Sequence, residues 1–339
     1  RAANKETMFR YIIKRLLLMI PVLLAVSVLS FIVIQLPPGD FLSNRVAKLL
    51  LEEGTPAIEE EIEALRQQYG LDKPAVVRYF MWMGGLLQGD MGRSFLYRKP
   101  VNTLIWERLA LTMIISICSI LLSWLIAFPV GIYSATHQYS FWDYVATLLG
   151  FIGISVPAFL LALLMMFGAY SFFDVTLMGL FSPEFAVAPW SFAKFVDMLK
   201  HIWIPALIVG LAGTAGTIRV MRGCLLDELG KQYVITARAK GLSERWLIFK
   251  YPVRLAINPM ISTIGWMLPA LISGSVIVSI VLNLPTTGPL LYESLMSQDM
   301  YLAGSFIMIL SLLTMIGTLI SDILLGWIDP RIRFQSKSE

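Results

Sequence analysis

Six apolar runs decide what this chain can become: Leu16–Leu36, Ala110–Tyr133, Val145–Tyr170, Ile202–Ile218, Ile261–Leu284 and Ala303–Leu325. About 20 apolar residues in helical form cross the hydrocarbon core of a bilayer. The fourth run has only 17 residues and sits at the short end of the workable range. Inside lipid every backbone polar group needs a partner within the protein, so spanning segments are helices or closed barrels. Runs this long read as helices. The expectation is an all-α integral membrane protein with six transmembrane helices. Composition agrees, with 57% hydrophobic and 15% charged residues, against about 25% charged in soluble domains. The net charge of +4 does not point to nucleic acid, because the basic residues are local and the rest is lipid-like. The first run is too long for a signal-peptide core and lacks a small-residue cleavage pattern, so it is expected to be retained. The chain begins with Arg1 and its first methionine is Met8, so residues 1–7 carry no weight.

Basic residues set the expected orientation. Segment 1–15 carries Arg1, Lys5, Arg10, Lys14 and Arg15; 219–258 carries eight Lys and Arg; 326–339 adds Arg331, Arg333 and Lys337. Six crossings put all three on one side, the cytoplasm by the positive-inside rule. Both termini are therefore expected to be cytoplasmic. Loop 285–302, on the opposite side, has no Lys or Arg. Segment 37–104 is then a small extracytoplasmic domain between the first two helices. Thr55 caps a helix with Pro56 at its first position, and Ile58, Ile62, Leu65 and Tyr69 share one face before Gly70 ends it. The next stretch, LDKPAVVRYFMWMGGLLQGDMGRSF, reads as an amphipathic helix at the membrane surface followed by tight turns. Two readings stay open for this domain: a lid on its own helices, or a surface that receives a partner. Segment 171–201 is rich in aromatics, which favour the interface; Phe192, Phe195, Val196 and Leu199 fit one face of a short surface helix.

Within the spans, Pro21, Pro129, Pro157, Pro205 and Pro269 predict kinks. Gly210, Gly213 and Gly216 predict close helix packing. Only Asp322 places a charge inside a span, where an acid costs ~2.5–3.5 kcal/mol at mid-bilayer. The row of acids expected of an ion-driven carrier is missing. Cys118 and Cys224 read as small buried residues, and His137 and His201 as ordinary interfacial ones. The nearest approach to a phosphate-binding loop, Gly230-Lys231, continues with Gln232 where Ser or Thr is required, and Leu225 replaces its first glycine. No metalloprotease or nucleophile-elbow motif occurs. An energy source, if transport is the task, must lie in another subunit.

One polar stretch remains. Tyr233–Pro259 reads YVITARAKGLSERWLIFKYPVRLAINP, with Arg238, Lys240, Arg245, Lys250 and Arg254 against the single acid Glu244. Periodicity alone allows two uses: an amphipathic segment on anionic lipid, or a handle for a partner. A short helix, a break at Gly241 and a second helix would form an elbow. Gly tolerates the positive φ such a break needs. Val234, Ala237 and Leu242 would face a groove in the partner.

This stretch resembles the cytoplasmic coupling segment, the EAA loop, of ATP-binding-cassette (ABC) importer permeases, and most closely the dipeptide/oligopeptide/nickel permease family. The family's TARAKGLS form stands here as Thr236-Ala237-Arg238-Ala239-Lys240-Gly241-Leu242-Ser243. YGLDKP at 69–74, GD-x-G-x-S at 89–94, LP-x-x-G at 284–288 and DPRIR at 329–333 are further family-like landmarks in the expected order. Aligned on Gly241, the chain has Ile235 where the family-wide loop has Glu, and Arg254 where a proline is usual, departures common among peptide-type members. Residues 171–201 are long for the family. The resemblance implies the type I ABC importer permease fold in a bacterial or archaeal inner membrane. It implies a second homologous permease, two ATPase subunits carrying ATP and Mg, and an extracytoplasmic solute-binding protein. No cofactor and no catalytic residue is implied for this chain. The ATPase-coupling residues would be Tyr233, Thr236, Ala237, Arg238, Ala239, Lys240, Gly241, Leu242 and Ser243. The implied substrate is a short peptide, with oligosaccharides, opines and nickel chelates as alternatives. An ion-coupled carrier and a membrane scaffold are the competing classes.

Overall fold

The computed structural model describes residues 2–36, 72–174, 178–261 and 276–328. The expected Thr55–Gly70 helix, the middle of the fifth run with Pro269, the DPRIR landmark and the tail lie outside the described residues, as does the side chain of Asp322. The elements are α1 (Ala2–Gln35), α2 (Ala75–Leu87), α3 (Val101–Thr136), α4 (Phe141–Ser155), α5 (Ala158–Phe173), α6 (Phe192–Leu229), α7 (Gln232–Ala239), α8 (Glu244–Lys250), α9 (Pro252–Ala256), α10 (Val276–Val281), α11 (Thr287–Met296) and α12 (Met300–Ile328). Among the described residues there is no sheet, only an isolated bridge between Arg93 and Pro100.

Among the described residues, three stretches are long and apolar enough to cross a membrane: Arg15–Gln35, Val101–Thr136 and Met300–Ile320. Two bent pairs, α4 with α5 and the two parts of α6, raise the number of candidates to five. The third apolar run is not one straight helix. It turns by 105° between α4 and α5. Val156 lies extended at φ −87°, ψ 122°, as steric clash with a following proline demands. Pro157 then opens α5, where its missing N–H breaks no helical bond. Pro21, Pro129 and Pro205 sit inside α1, α3 and α6.

The chain divides into two compact units, residues 1–110 with 289–315 and residues 111–288 with 316–339. In the first, α1 buries Ser27, Ser30, Phe31 and Ile34, a one-sided stripe at helical spacing. Phe31 and Ile34 pack with Trp82, Phe95, Met300 and Ala303. Ser27 Oγ and Tyr79 Oη share a 2.8 Å hydrogen bond, and Trp82 Nε1 donates to Ser305 Oγ at 3.3 Å. The predicted helix and turns after Pro74 are present as α2 and a loop with positive φ at Gly89 and Gly92. Buried Asp299 organises that loop. It accepts from Ser94 Oγ at 2.5 Å, from the Leu96 N–H at 3.1 Å and from the Leu302 N–H at 3.2 Å. Burial still pushes its carboxyl above the usual range, against these bonds. Gly92 is required twice over: its φ is +76°, and a β-carbon there would meet the Tyr301 ring at 2.5 Å.

The second unit has two apolar clusters. One joins α3, α5, α6 and α10 through Leu111, Ile115, Ala162, Ile204, Ile208 and Val278. At Gly210 a β-carbon would lie 3.0 Å from the Ser119 carbonyl oxygen, the close backbone approach expected of this glycine. Thr214 Oγ1 donates to Ser123 Oγ at 3.0 Å beside it. The expected short surface helix around Phe192 is instead the first turns of α6, capped by Ser191. Its apolar face is the exposed one. Lys194, Asp197 and Met198 are buried because each finds a partner. Lys194 Nζ donates to the Ala188 carbonyl at 2.6 Å and lies 4.8 Å from the Phe181 ring centre. Asp197 accepts from the Ser182 N–H and hydroxyl, both at 2.7 Å. His201 Nδ1 sits 2.8 Å from the Asp197 carbonyl, and His137 stacks on Tyr133. Cys118 and Cys224 are free and half-buried rather than buried.

Candidate functional site

The elbow expected at Tyr233–Pro259 is present, and its second apolar cluster explains how it is held. α6 ends at Leu229. Glu228, in its last turn, pairs with Lys231 and accepts the Tyr233 hydroxyl at 2.6 Å. Burial raises the Tyr233 phenol above its ordinary range, and the Glu228 carboxylate pushes the same way. These bonds tie the first turn of α7 to the last turn of α6.

α7 ends in a Schellman motif. The Gly241 N–H donates to the Arg238 carbonyl at 3.0 Å, and the Leu242 N–H to the Ala237 carbonyl at 3.5 Å. That pairing needs a left-handed residue at the position of Gly241, whose φ is +76°. No atom lies within 4 Å of a β-carbon built on Gly241, so the backbone alone demands the glycine. Ala237 and Leu242 both pack on the cluster beneath, the apolar contact that accompanies this motif. α8 follows with Glu244 in its first turn, where the helix dipole favours an acid. Arg238 reaches across the break to grip Glu244, with Nε 3.0 Å from Oε2 and a terminal nitrogen on Oε1. Arg238 holds the Glu244 carboxyl below its usual range. One ion pair thus ties the two arms of the elbow.

The inner side of the elbow is this chain's own core. Val234, Leu247, Ile248, Val253, Ala256 and Met260 are buried with Met221 and Leu225 of α6 and Ala135 of α3. Val234 therefore does not face a partner; it is wholly enclosed. Helical spacing marked an apolar face correctly but could not tell which protein covers it. Ala237, Leu242 and Tyr233 are half-buried against the same cluster. Thr236, Arg238, Ala239, Lys240, Gly241 and Ser243 are exposed, so the structure brings them together as the outward rim of the turn. The Thr236 hydroxyl is bonded to the Gln232 carbonyl at 2.8 Å. Ile235, noted in the sequence only as a departure, joins this rim at 47% exposure.

Behind the elbow, Arg222 of α6 holds Asp143 of α4 through two 3.0 Å bonds. Asp143 also accepts the Tyr139 N–H at 3.1 Å. The partners are 79 residues apart, and no short-range pattern announced them.

Known proteins match on the scale of the whole chain. Residues 127–334 match the family described as binding-protein-dependent transport system inner membrane component. Residues 8–116 match the N-terminal part of such membrane components. The oligopeptide transport system permease protein AppB of Bacillus subtilis is 34% identical over 332 residues, 96% of this chain and 100% of the relative. The glutathione transport system permease protein GsiC of Salmonella choleraesuis is 34% identical over 97% of this chain and 100% of its own length. The peptidoglycan transport system permease protein YejB of Agrobacterium fabrum is 31% identical over 96% and 99%.

Proposed function

This chain belongs to the family of inner membrane components of binding-protein-dependent transport systems, and from that premise we propose that it is the permease subunit of an ABC importer for short peptides. It is a multi-pass inner membrane protein and a non-catalytic transport subunit. The chain crosses the membrane six times with both termini cytoplasmic, and segment 37–104 forms a small extracytoplasmic domain. It pairs with a second homologous permease. A solute-binding protein delivers substrate outside, and two ATPase subunits with ATP and Mg supply the work inside.

The observation that carries this reading is the division of the elbow into two sides. Val234 and Leu247 lock it to α6, while the rim from Thr236 to Ser243 points outward around a left-handed glycine. A rigidly mounted projection can transmit a push; a loose loop cannot. Tyr233, Ala237 and Leu242 brace the rim from below, and Thr236, Arg238, Ala239, Lys240, Gly241 and Ser243 meet the ATPase. Relatives named for oligopeptide and glutathione transport support a peptide substrate. Oligosaccharides, opines and nickel chelates are the alternatives to test by identifying the ligand of the partner binding protein.

Thr236→Arg tests the docking. Its side chain is exposed, so the fold tolerates the change while a complementary surface would not. ATPase subunits copurifying with the wild-type chain fall severalfold with the variant. Unchanged stoichiometry and ATPase rate would overturn the docking role.

A further inference from the structure

The basic residues of the elbow fall into two groups with different surroundings. Arg238 is paired with Glu244 across the turn. Arg245, Lys250 and Arg254 form no ion pair among the described residues. They lie on α8 and α9, beyond the rim, and their faces are also apolar. Trp246, Phe249 and Leu255 are 47%, 58% and 46% exposed. Trp246, Phe249 and Lys250 follow each other at helical spacing on the side of α8 opposite buried Leu247 and Ile248. Lys250 Nζ lies 3.8 Å from the Trp246 ring centre. The ammonium therefore lies over the face of the indole in a cation–π contact, which holds a positive charge and an aromatic ring on the same exposed face.

We propose that this face of α8 and α9, with Arg245, Trp246, Phe249, Lys250, Arg254 and Leu255, rests on the anionic phospholipids of the cytoplasmic leaflet. The proposal depends on the cytoplasmic placement of the elbow proposed above. The patch combines what an interfacial segment needs: aromatic and aliphatic groups for the headgroup boundary and unpaired cations for phosphate. The one acid of the stretch, Glu244, is already neutralised by Arg238, so the face carries only positive charge. It is also close to the membrane. Ile261, the start of the fifth apolar run, is seven positions beyond Arg254, about 10 Å along a helix. That distance is similar to the Debye length, about 8 Å at physiological salt. Each basic residue so placed changes membrane partitioning about fivefold. The outward rim meets the ATPase, and the second arm rests on lipid charge.

The test uses the full complex in nanodiscs of phosphatidylcholine alone or of equimolar phosphatidylcholine and phosphatidylglycerol, with lipids brominated near the top of the acyl chain. The signal of Trp246 is the fluorescence difference between the wild type and Trp246→Phe. Quenching of Trp246 at least twofold stronger in the anionic discs, lost at high salt, supports the proposal. The triple change Arg245→Gln, Lys250→Gln and Arg254→Gln then abolishes the lipid dependence while ATPase subunits stay bound. Equal quenching in both discs, or quenching indifferent to salt, overturns it. So does a triple variant that releases the ATPase with its lipid contact intact, which would assign the face to the ATPase. The salt arm needs no variant, so misfolding cannot mask the answer. Lipid contact is read on Trp246 and docking on recovered ATPase, so the two proposals fail separately.

Discussion

Two glycines of this chain share one backbone conformation and have opposite surroundings. Gly92 and Gly241 both have φ +76°. Around Gly92 the chain is closed: a β-carbon would strike Tyr301 at 2.5 Å, and the acid nearby, Asp299, is buried under three donors. Around Gly241 the space is open, and the acid nearby, Glu244, is half-exposed and held by one arginine. The same left-handed turn serves to lock a loop into a core in one place and to present a rim outward in the other. Backbone geometry alone does not separate a glycine enclosed in a core from one on an open rim; the surroundings do.

The largest contrast is expected from placing valine at each glycine. Gly92→Val meets both left-handed strain and overpacking, together about 3–4 kcal/mol, and thermal melting of the purified protein should show a marked loss of stability. Gly241→Val meets only the strain, about 1–2 kcal/mol. It should insert and melt nearly as the wild type, yet lose at least tenfold in substrate-stimulated ATPase activity of the complex. Equal melting losses at the two sites would erase the distinction.

A smaller effect separates the two acids by pH. Burial raises Asp299. A raised carboxyl contributes stability that is fully present below its unfolded value of about 3.9 and is lost as pH rises through the folded value. Arg238 lowers Glu244. Its contribution is present above the unfolded value of about 4.3 and is lost as pH falls through the folded one. Melting curves across acid pH should therefore lose opposite slopes in Asp299→Asn and Glu244→Gln. Slopes of the same sign would contradict the assigned environments. Smallest of all should be Arg238→Gln. Its pair is exposed, so melting barely changes, but the two arms are untied and stimulated ATPase activity falls severalfold.

The sequence predicted the turn at Gly241 because glycine after TARAK and before a second helical stretch has few other uses. It predicted α2 and its tight turns for the same local reason. What it could not supply was the identity of the neighbour. Periodicity puts Val234 on an apolar face and does not say what covers it; this chain's own core does. Ser94 and Asp299 meet across 205 residues, and no local signal joins them. Pro157 announced a kink, but a turn of 105° is set by what α4 and α5 each pack against. The apolar residues around Phe192 predict a separate surface helix, whereas the segment is the start of α6. The Lys194 and Asp197 that hold its inner side are buried, and nothing local in the sequence marks a charged pair as enclosed.

The Arg222–Asp143 clamp gives the elbow an unexpected mechanical property. Apolar packing already joins the elbow to α6 and to Ala135 of α3, and the clamp adds a direct polar bond between α6 and α4. With it, α4 is fastened to α6 at Arg222, ahead of the elbow, and the two helices share the load as springs in parallel. If the elbow carries the load proposed for it, stiffness sums, displacement is divided, and less of each stroke would be dissipated in bending before it reached α4 and α6.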